Sequence, residues 1–287
     1  MKKIIISGSN GFLGNNILNY FSAKYPDSKV VGLTRQTCDI ASAQAITSYL
    51  SEELPDVVIH SAVKIDDLAN NIKMHHALES ASGFVGKIVT LGSGAEYNPK
   101  NYKPLMEENY FNNSIPEDPY SLSKYLISRM IDSGPANISN LRLFGIFGIG
   151  EDYSRRFISN NIVRHILGLQ MQMNKDISFD YFYVPDFLES LNTYLLKENL
   201  HKHYNLCTGD PIKFSTILQK ICSVVGLPND QFIILDKTET DYQYSGNPSR
   251  FIEEFGPIRK TPLDESAYEL YNYYLGMKHA LKLPAAE

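Results

Sequence analysis

Two hydrophobic periods alternate along the first half of the chain. Lys2 to Ser7 is a β-branched run, with Ile4-Ile5-Ile6 at its centre, and it ends at Gly8. A short continuous apolar run bounded by a turn residue predicts a buried strand. Phe12, Leu13, Ile17, Leu18 and Phe21 then recur at helical spacing within residues 11–24. Val30–Leu33 predicts a second strand, Ala41–Glu53 a helix, and Val57-Val58-Ile59, behind the Pro55-Asp56 turn, a third strand. The series continues with a helix over Asn70–Ser82, a strand over Lys87–Leu91, a helix over Tyr120–Asp132 and a strand over Leu141–Phe144. Strands that alternate with helices imply parallel pairing through right-handed crossovers, so the expected fold is α/β with a doubly wound sheet.

Beyond residue 145 the alternation loosens. Helices are expected over Phe157–Leu169, Phe187–Leu196, Ser215–Val225 and Leu263–Met277. The expected division is residues 1–145 as the sheet domain and 146–287 as mostly a smaller α/β lobe, with some chain crossings between them. Ligands of open α/β sheets bind at the carboxyl ends of the strands, so a lobe over that edge serves as the substrate wall. Leu281 to Glu287 carry little pattern and read as a frayed tail.

Composition narrows the classes. At 287 residues, with 43% hydrophobic and 21% charged, the chain is ordinary for a soluble protein with a sizeable core. A net charge of -5 argues against an electrostatic nucleic-acid partner. No apolar run approaches the length of a membrane span, and the apolar run after Met1-Lys2-Lys3 is too short for a signal peptide. Cys38, Cys207 and Cys222 are spaced irregularly, which predicts three reduced thiols in a cytoplasmic protein and no metal pair. His75-His76 and His201-Lys202-His203 show no metal-ligand pattern. Tyr268, Tyr271, Tyr273 and Tyr274 are expected to pack.

Candidate chemistry begins at Gly8-Ser9-Asn10-Gly11-Phe12-Leu13-Gly14, between the first strand and the first helix. Gly8 suits a tight turn, Gly11 a close approach to a pyrophosphate, and Gly14 close packing of helix on sheet. The helix start supplies free N–H groups and partial positive charge. A Rossmann-type dinucleotide site follows. An acidic residue after the second strand would bind a ribose 2′-OH and repel a phosphate. Here that strand ends Leu33-Thr34-Arg35-Gln36, and Arg35 can pair with a 2′-phosphate through its planar fork. NADP(H) is therefore the expected cofactor and NAD(H) the alternative. Asp39 and Ile40 are candidates for the adenine end.

Tyr120-Ser121-Leu122-Ser123-Lys124 puts a phenol and an ammonium four residues apart, on one face of a helix. A nearby cation favours the phenolate, so the pair suits proton exchange in carbonyl/alcohol chemistry. With 19 tyrosines in the chain, this spacing alone is weak. It gains weight from Ser93 upstream, in Leu91-Gly92-Ser93-Gly94-Ala95-Glu96-Tyr97, where a strand ends beside the expected cofactor. Its hydroxyl can bond the reacting oxygen.

Together with Pro55–Ala62, Leu141–Gly148, Asp180–Asp186 and Tyr204–Gly209, these segments resemble the extended short-chain dehydrogenases/reductases, the NAD-dependent epimerase/dehydratase superfamily, over nearly the whole chain. Within it the motifs are most similar to GDP-fucose synthase-like and other nucleotide-sugar 4-ketoreductases. The resemblance implies a Rossmann domain, bound NAD(P), with Ser61 and Ala62 beside it, and a nucleotide-sugar substrate. It makes Tyr120 the acid/base, Lys124 its tuner and the holder of the nicotinamide ribose, and Ser93 the group that orients the substrate oxygen. Asn71 matches a structural asparagine. A homodimer through the Tyr120 helix is implied as well. The acid pair that dehydratases carry after the serine is Gly94-Ala95 here, and the two epimerising groups align with Ala95 and Arg156. Reduction of a 4-keto-6-deoxy nucleotide sugar is thus the leading expectation. A 4-epimerase and a non-catalytic dinucleotide-binding regulator are the alternatives. The arginine that commonly grips the substrate diphosphate is Phe179, and the family asparagine after Arg142 is Gly145. Arg155, Arg156 and Lys237 are the remaining candidates for substrate charge.

Overall fold

A computed structural model describes residues 1–283. The first half runs β1 (Lys3–Ser7), α1 (Phe12–Lys24), β2 (Lys29–Leu33), α2 (Ala43–Glu53), β3 (Val57–His60), α3 (Leu68–Ser80), β4 (Lys87–Ser93), α4 (Pro119–Ser133) and β5 (Ile138–Leu143). The second runs β6 (Gly145–Phe147), α5 (Phe157–Ile166), β7 (Met171–Lys175), β8 (Ser178–Phe179), β9 (Tyr181–Tyr183), α6 (Val184–Leu195), β10 (His203–Leu206), β11 (Ile212–Lys213), α7 (Phe214–Val224), β12 (Phe232–Asp236), β13 (Gln243–Tyr244), α8 (Ser249–Phe255) and α9 (Leu263–Gly276).

Six parallel strands form the main sheet in the order β10-β5-β4-β3-β1-β2. The chain leaves β1 toward β2 and returns on the other side at β3, so the order reverses between β1 and β3. The ligand crevice of a doubly wound sheet opens at such a reversal. β1 and β3 lie inside the sheet with both faces covered, which is why they read as continuous apolar runs. One face packs Ile5, Val58, Ile88 and Ile138 against Met74, Leu78, Ile127 and Ile131 of α3 and α4. The other packs Ile4, Ile59, Val89 and Leu141 against α1 and against Phe187, Leu191, Phe251 and Phe255 of α6 and α8.

The chain crosses back further than the pattern suggested. β10 completes the main sheet, and α6 and α8 cover it, so residues 184–206 and 249–258 pack with the first half. The remaining second half has a core of its own, with Ile158, Ile162, Ile217, Ile221, Leu270 and Tyr274 from α5, α7 and α9. The tail expectation needs correction at its start, since Leu281 is 5% exposed and belongs to that core. Residues 284–287 lie outside the described residues. Tyr274 packs as expected, whereas Tyr268 and Tyr273 are exposed. The three cysteines are free and buried. Among the described residues no helix is long and apolar enough to cross a membrane, and no His/Cys/Asp/Glu group has metal-binding geometry.

Candidate active site

The glycine loop is built as its spacing requires. β1 ends at Ser7, and Gly8 turns with φ +74°, a left-handed conformation that glycine adopts without strain. A Cβ at Gly8 would lie 2.7 Å from the backbone of Ala62, and one at Gly14 would lie 2.1 Å from the Gly8 carbonyl oxygen. Gly11 precedes α1 with no side-chain cap and no acidic residue in the first turn. The first N–H groups of α1 are therefore free for a ligand, at the positive end of the helix. These features fit a dinucleotide pyrophosphate. The Ser61 hydroxyl donates to the Ser7 carbonyl at 2.5 Å, tying β3 to β1 at the reversal.

Phe12, Leu13 and Ser61 line one end of a cleft of about 900 Å³, which continues over Ser93, Tyr120 and Lys124 to Arg155 and Arg156. Asn10 and Arg35 are exposed, Arg35 in the turn after β2. Asp39 is exposed, and its carboxylate accepts from the Ala41 N–H at 3.1 Å. The Ile40 side chain is buried in the core, so the part of Ile40 that a cofactor could meet is its main chain. Lys237 is exposed and does not line the cleft, whereas Phe179 does.

Ser93, Tyr120 and Lys124 converge where β4 ends and α4 begins. Asp118 caps α4, its carboxylate accepting from the Ser121 N–H at 2.9 Å, and Pro119 occupies the first turn. These caps start the helix so that Tyr120 and Lys124 share its inner face. The Lys124 ammonium donates to the Leu91 carbonyl at 2.6 Å and lies 6.0 Å from the centre of the Tyr120 ring. Burial lowers the Lys124 pKa to about 8, while the Glu96 carboxylate opposes that shift. Burial raises the Tyr120 phenol, and the nearby Ser93 hydroxyl and Arg156 guanidinium pull it back. Asn71 donates to the Lys64 carbonyl at 2.8 Å and to Ser123 Oγ at 3.1 Å, pinning α3 and the loop before it to α4 beside Lys124.

Two features had no signal in the sequence reading. The first is an ion pair under Ser93. Arg142 Nε donates to Glu96 Oε2 at 2.6 Å, with both side chains at most 1% exposed. Glu96 Oε1 accepts from the Ser93 main-chain N–H at 3.0 Å. Asn140 donates to both carboxylate oxygens at 3.1 Å, and Arg142 donates to Ser128 at 2.9 Å. The second is a polar row in the sheet, in which Ser7, His60, Thr90, Asn140 and His203 are register partners on five adjacent strands. Burial lowers His60 to about 3 and His75 to about 4, so both are neutral beneath the Lys124 ammonium.

A cradle crowded by any added Cβ, an uncapped helix start and a Ser-Tyr-Lys cluster lie together on a Rossmann-type fold, an arrangement that fits a nicotinamide dinucleotide. The chain belongs to the NAD dependent epimerase/dehydratase family, whose model matches residues 4–207. It is 26% identical to GDP-L-fucose synthase of Azorhizobium caulinodans over 174 residues, a match that spans 54% of this chain and 55% of that protein. It is 22% identical to GDP-6-deoxy-D-talose 4-dehydrogenase of Aggregatibacter actinomycetemcomitans over 279 residues, 88% of this chain and 91% of the relative. Among solved structures, the dTDP-glucose 4,6-dehydratase of Bacillus anthracis in complex with NAD superposes with a TM-score of 0.83 at 17% identity, covering 96% of each chain.

Proposed function

We propose that the protein is an NADP(H)-dependent reductase of a keto group on a nucleotide-linked 4-keto-6-deoxy sugar. The observation that carries the reading is the convergence of Ser93, Tyr120 and Lys124 in one cleft beside the glycine cradle. When bound, the nicotinamide supplies the hydride. Tyr120 gives its phenolic proton to the oxygen that becomes the alkoxide, and Ser93 donates a hydrogen bond to that oxygen. The Lys124 ammonium lowers the cost of the phenolate that Tyr120 leaves behind. Gly94 and Ala95 carry no acid or base for water elimination, and Ala95 and Arg156 none for epimerisation at neighbouring carbons. Arg155 and Arg156 line the far end of the cleft, where a charged sugar carrier would lie.

Leu122, Leu126 and Met130 are half-buried at every fourth position of α4, a stripe suited to a helix contact between two copies. We infer a homodimer, which a monomeric mass in light scattering at micromolar concentration would exclude.

Calorimetric titration with NADPH and NADH, after the absorbance spectrum has been checked for retained cofactor, tests the cofactor reading. Preference for NADPH with nothing retained supports a reductase that releases its cofactor, and Arg35 as the reader of the 2′-phosphate. Retained NAD, or preference for NADH, overturns the Arg35 argument and places a nucleotide-sugar 4-epimerase first.

A further inference from the structure

We propose that Tyr244 is a positioning residue that aims the Ser93 proton at the substrate oxygen, an inference that rests on the Ser93, Tyr120 and Lys124 assignment above. The Tyr244 hydroxyl stands 3.5 Å from Ser93 Oγ, across the cleft from α4. A serine hydroxyl has one proton and two acceptor lone pairs. The Ala95 N–H already occupies one lone pair at 3.2 Å. Donation by Tyr244 occupies the second, and the only direction left for the Ser93 proton is into the cleft. Ser93 then presents a donor to the substrate oxygen before substrate arrives. At 3.5 Å the bond is long for two hydroxyls, and such contacts tighten in the reacting complex.

Tyr244 is built to donate and to stay in place. Burial, followed by the Tyr120, Tyr242 and Glu96 groups, holds its phenol far above the ordinary range, with only Ser93 opposing. Among the described residues no cation acts on it, whereas the Lys124 ammonium lies 6.0 Å from the centre of the Tyr120 ring. The proton inventory is therefore asymmetric: Tyr120 gives its proton up, while Tyr244 and Ser93 keep theirs. The ring lies 5.0 Å from Tyr102, 5.0 Å from Phe144 and 5.1 Å from Phe179. Its carbonyl accepts from the Asp180 N–H at 2.9 Å in the pairing of β13 with β8. The next residue is stitched to the segment that follows Ser93, as the Met106 N–H donates to the Ser245 carbonyl at 3.0 Å and the Leu105 N–H to Ser245 Oγ at 2.9 Å. Strands of the second lobe and the loop of the first thus fix Tyr244 against Ser93 from two sides.

The test is a double-mutant cycle of Tyr244→Phe and Ser93→Ala, with 4-keto-6-deoxyhexoses on UDP, GDP and dTDP as probes. Phenylalanine keeps the ring packing and removes only the hydroxyl. Tyr244→Phe is expected to lower kcat about tenfold or more, to change KM less than threefold and to leave the cofactor Kd unchanged. In the Ser93→Ala background it is expected to add nothing. A kcat within twofold of the parent, an effect on KM alone, or losses that multiply in the double variant overturn the proposal. A Tyr120→Phe variant with undiminished turnover would sink the underlying assignment instead, whatever Tyr244→Phe does. A crystal structure of the NADPH complex gives a readout independent of turnover. A Tyr244–Ser93 hydroxyl distance below about 3.2 Å supports the bond, and one above that, or a water between the two, removes it.

Discussion

Gly14→Ala tests the cofactor cradle by a single methyl group. The added Cβ would lie 2.1 Å from the Gly8 carbonyl oxygen and 2.8 Å from Ser61 Oγ, where ordinary contact needs about 3.4 Å. The carbonyl belongs to backbone that is fixed at φ +74° against Ala62, so the start of α1 must withdraw by about 1 Å. A phosphate hydrogen bond lengthened from about 2.9 to about 4 Å is lost. Each bond to a charged group contributes about 1.5–3 kcal/mol. Loss of two such bonds at the helix start weakens dinucleotide binding by at least about 3 kcal/mol, on the order of 100-fold in Kd. Calorimetry with NADPH and NADH measures this, with circular dichroism to confirm the fold. Gly83→Ala is the control, since nothing lies within 4 Å of its added Cβ. A Gly14→Ala protein that is folded and binds within threefold of the parent refutes the assignment of this loop to the pyrophosphate.

Two further outcomes concern buried charge. Arg142→Met leaves the fully buried Glu96 carboxylate without its cation, so urea denaturation is expected to show a loss of about 3–5 kcal/mol; a loss below about 1 kcal/mol would mean the pair is not the support of the Ser93 turn. Glu151 is 5% exposed, its Oε2 has no hydrogen-bond partner among the described residues, and burial pushes its pKa up to about 7 from 4.5. The folded state thus holds a proton that the unfolded chain releases above about 4.5, and parent stability falls as pH rises from there through about 7, by on the order of 3 kcal/mol in all. Glu151→Gln is expected to remove that slope, and unfolding curves of parent and variant that shift in parallel between pH 5 and pH 8 would contradict it.

The parts of the site that lie within a few residues of one another were legible. Gly8, Gly11 and Gly14 sit in one turn, Tyr120 and Lys124 on one helix face, and Ser93 at one strand end, and local spacing carries each of them. The parts assembled across long distances were not. Tyr244 reaches Ser93 from 151 residues away, and one tyrosine among 19 carries no local mark of its place. Glu96 and Arg142 lie 46 residues apart in the chain, and the pairing of β4 with β5 brings them together. β10 is four residues long and alternates polar His203 and Asn205 with Tyr204 and Leu206, a pattern that suits a strand with one wet face, yet all four are buried. Internal partners satisfy the polar positions. Asn205 Oδ1 accepts from the Tyr97 hydroxyl at 2.7 Å, and its amide donates to the Met106 carbonyl at 2.7 Å.

The most direct test of the account is consumption of NADPH, followed by its absorbance, with 4-keto-6-deoxyhexoses on UDP, GDP and dTDP, for the parent protein and Tyr120→Phe side by side. The account predicts turnover with at least one carrier. It also predicts a fall of about 10²–10⁴-fold in kcat for Tyr120→Phe, with NADPH binding unchanged. No turnover with any carrier, or full turnover without the phenol, would contradict it.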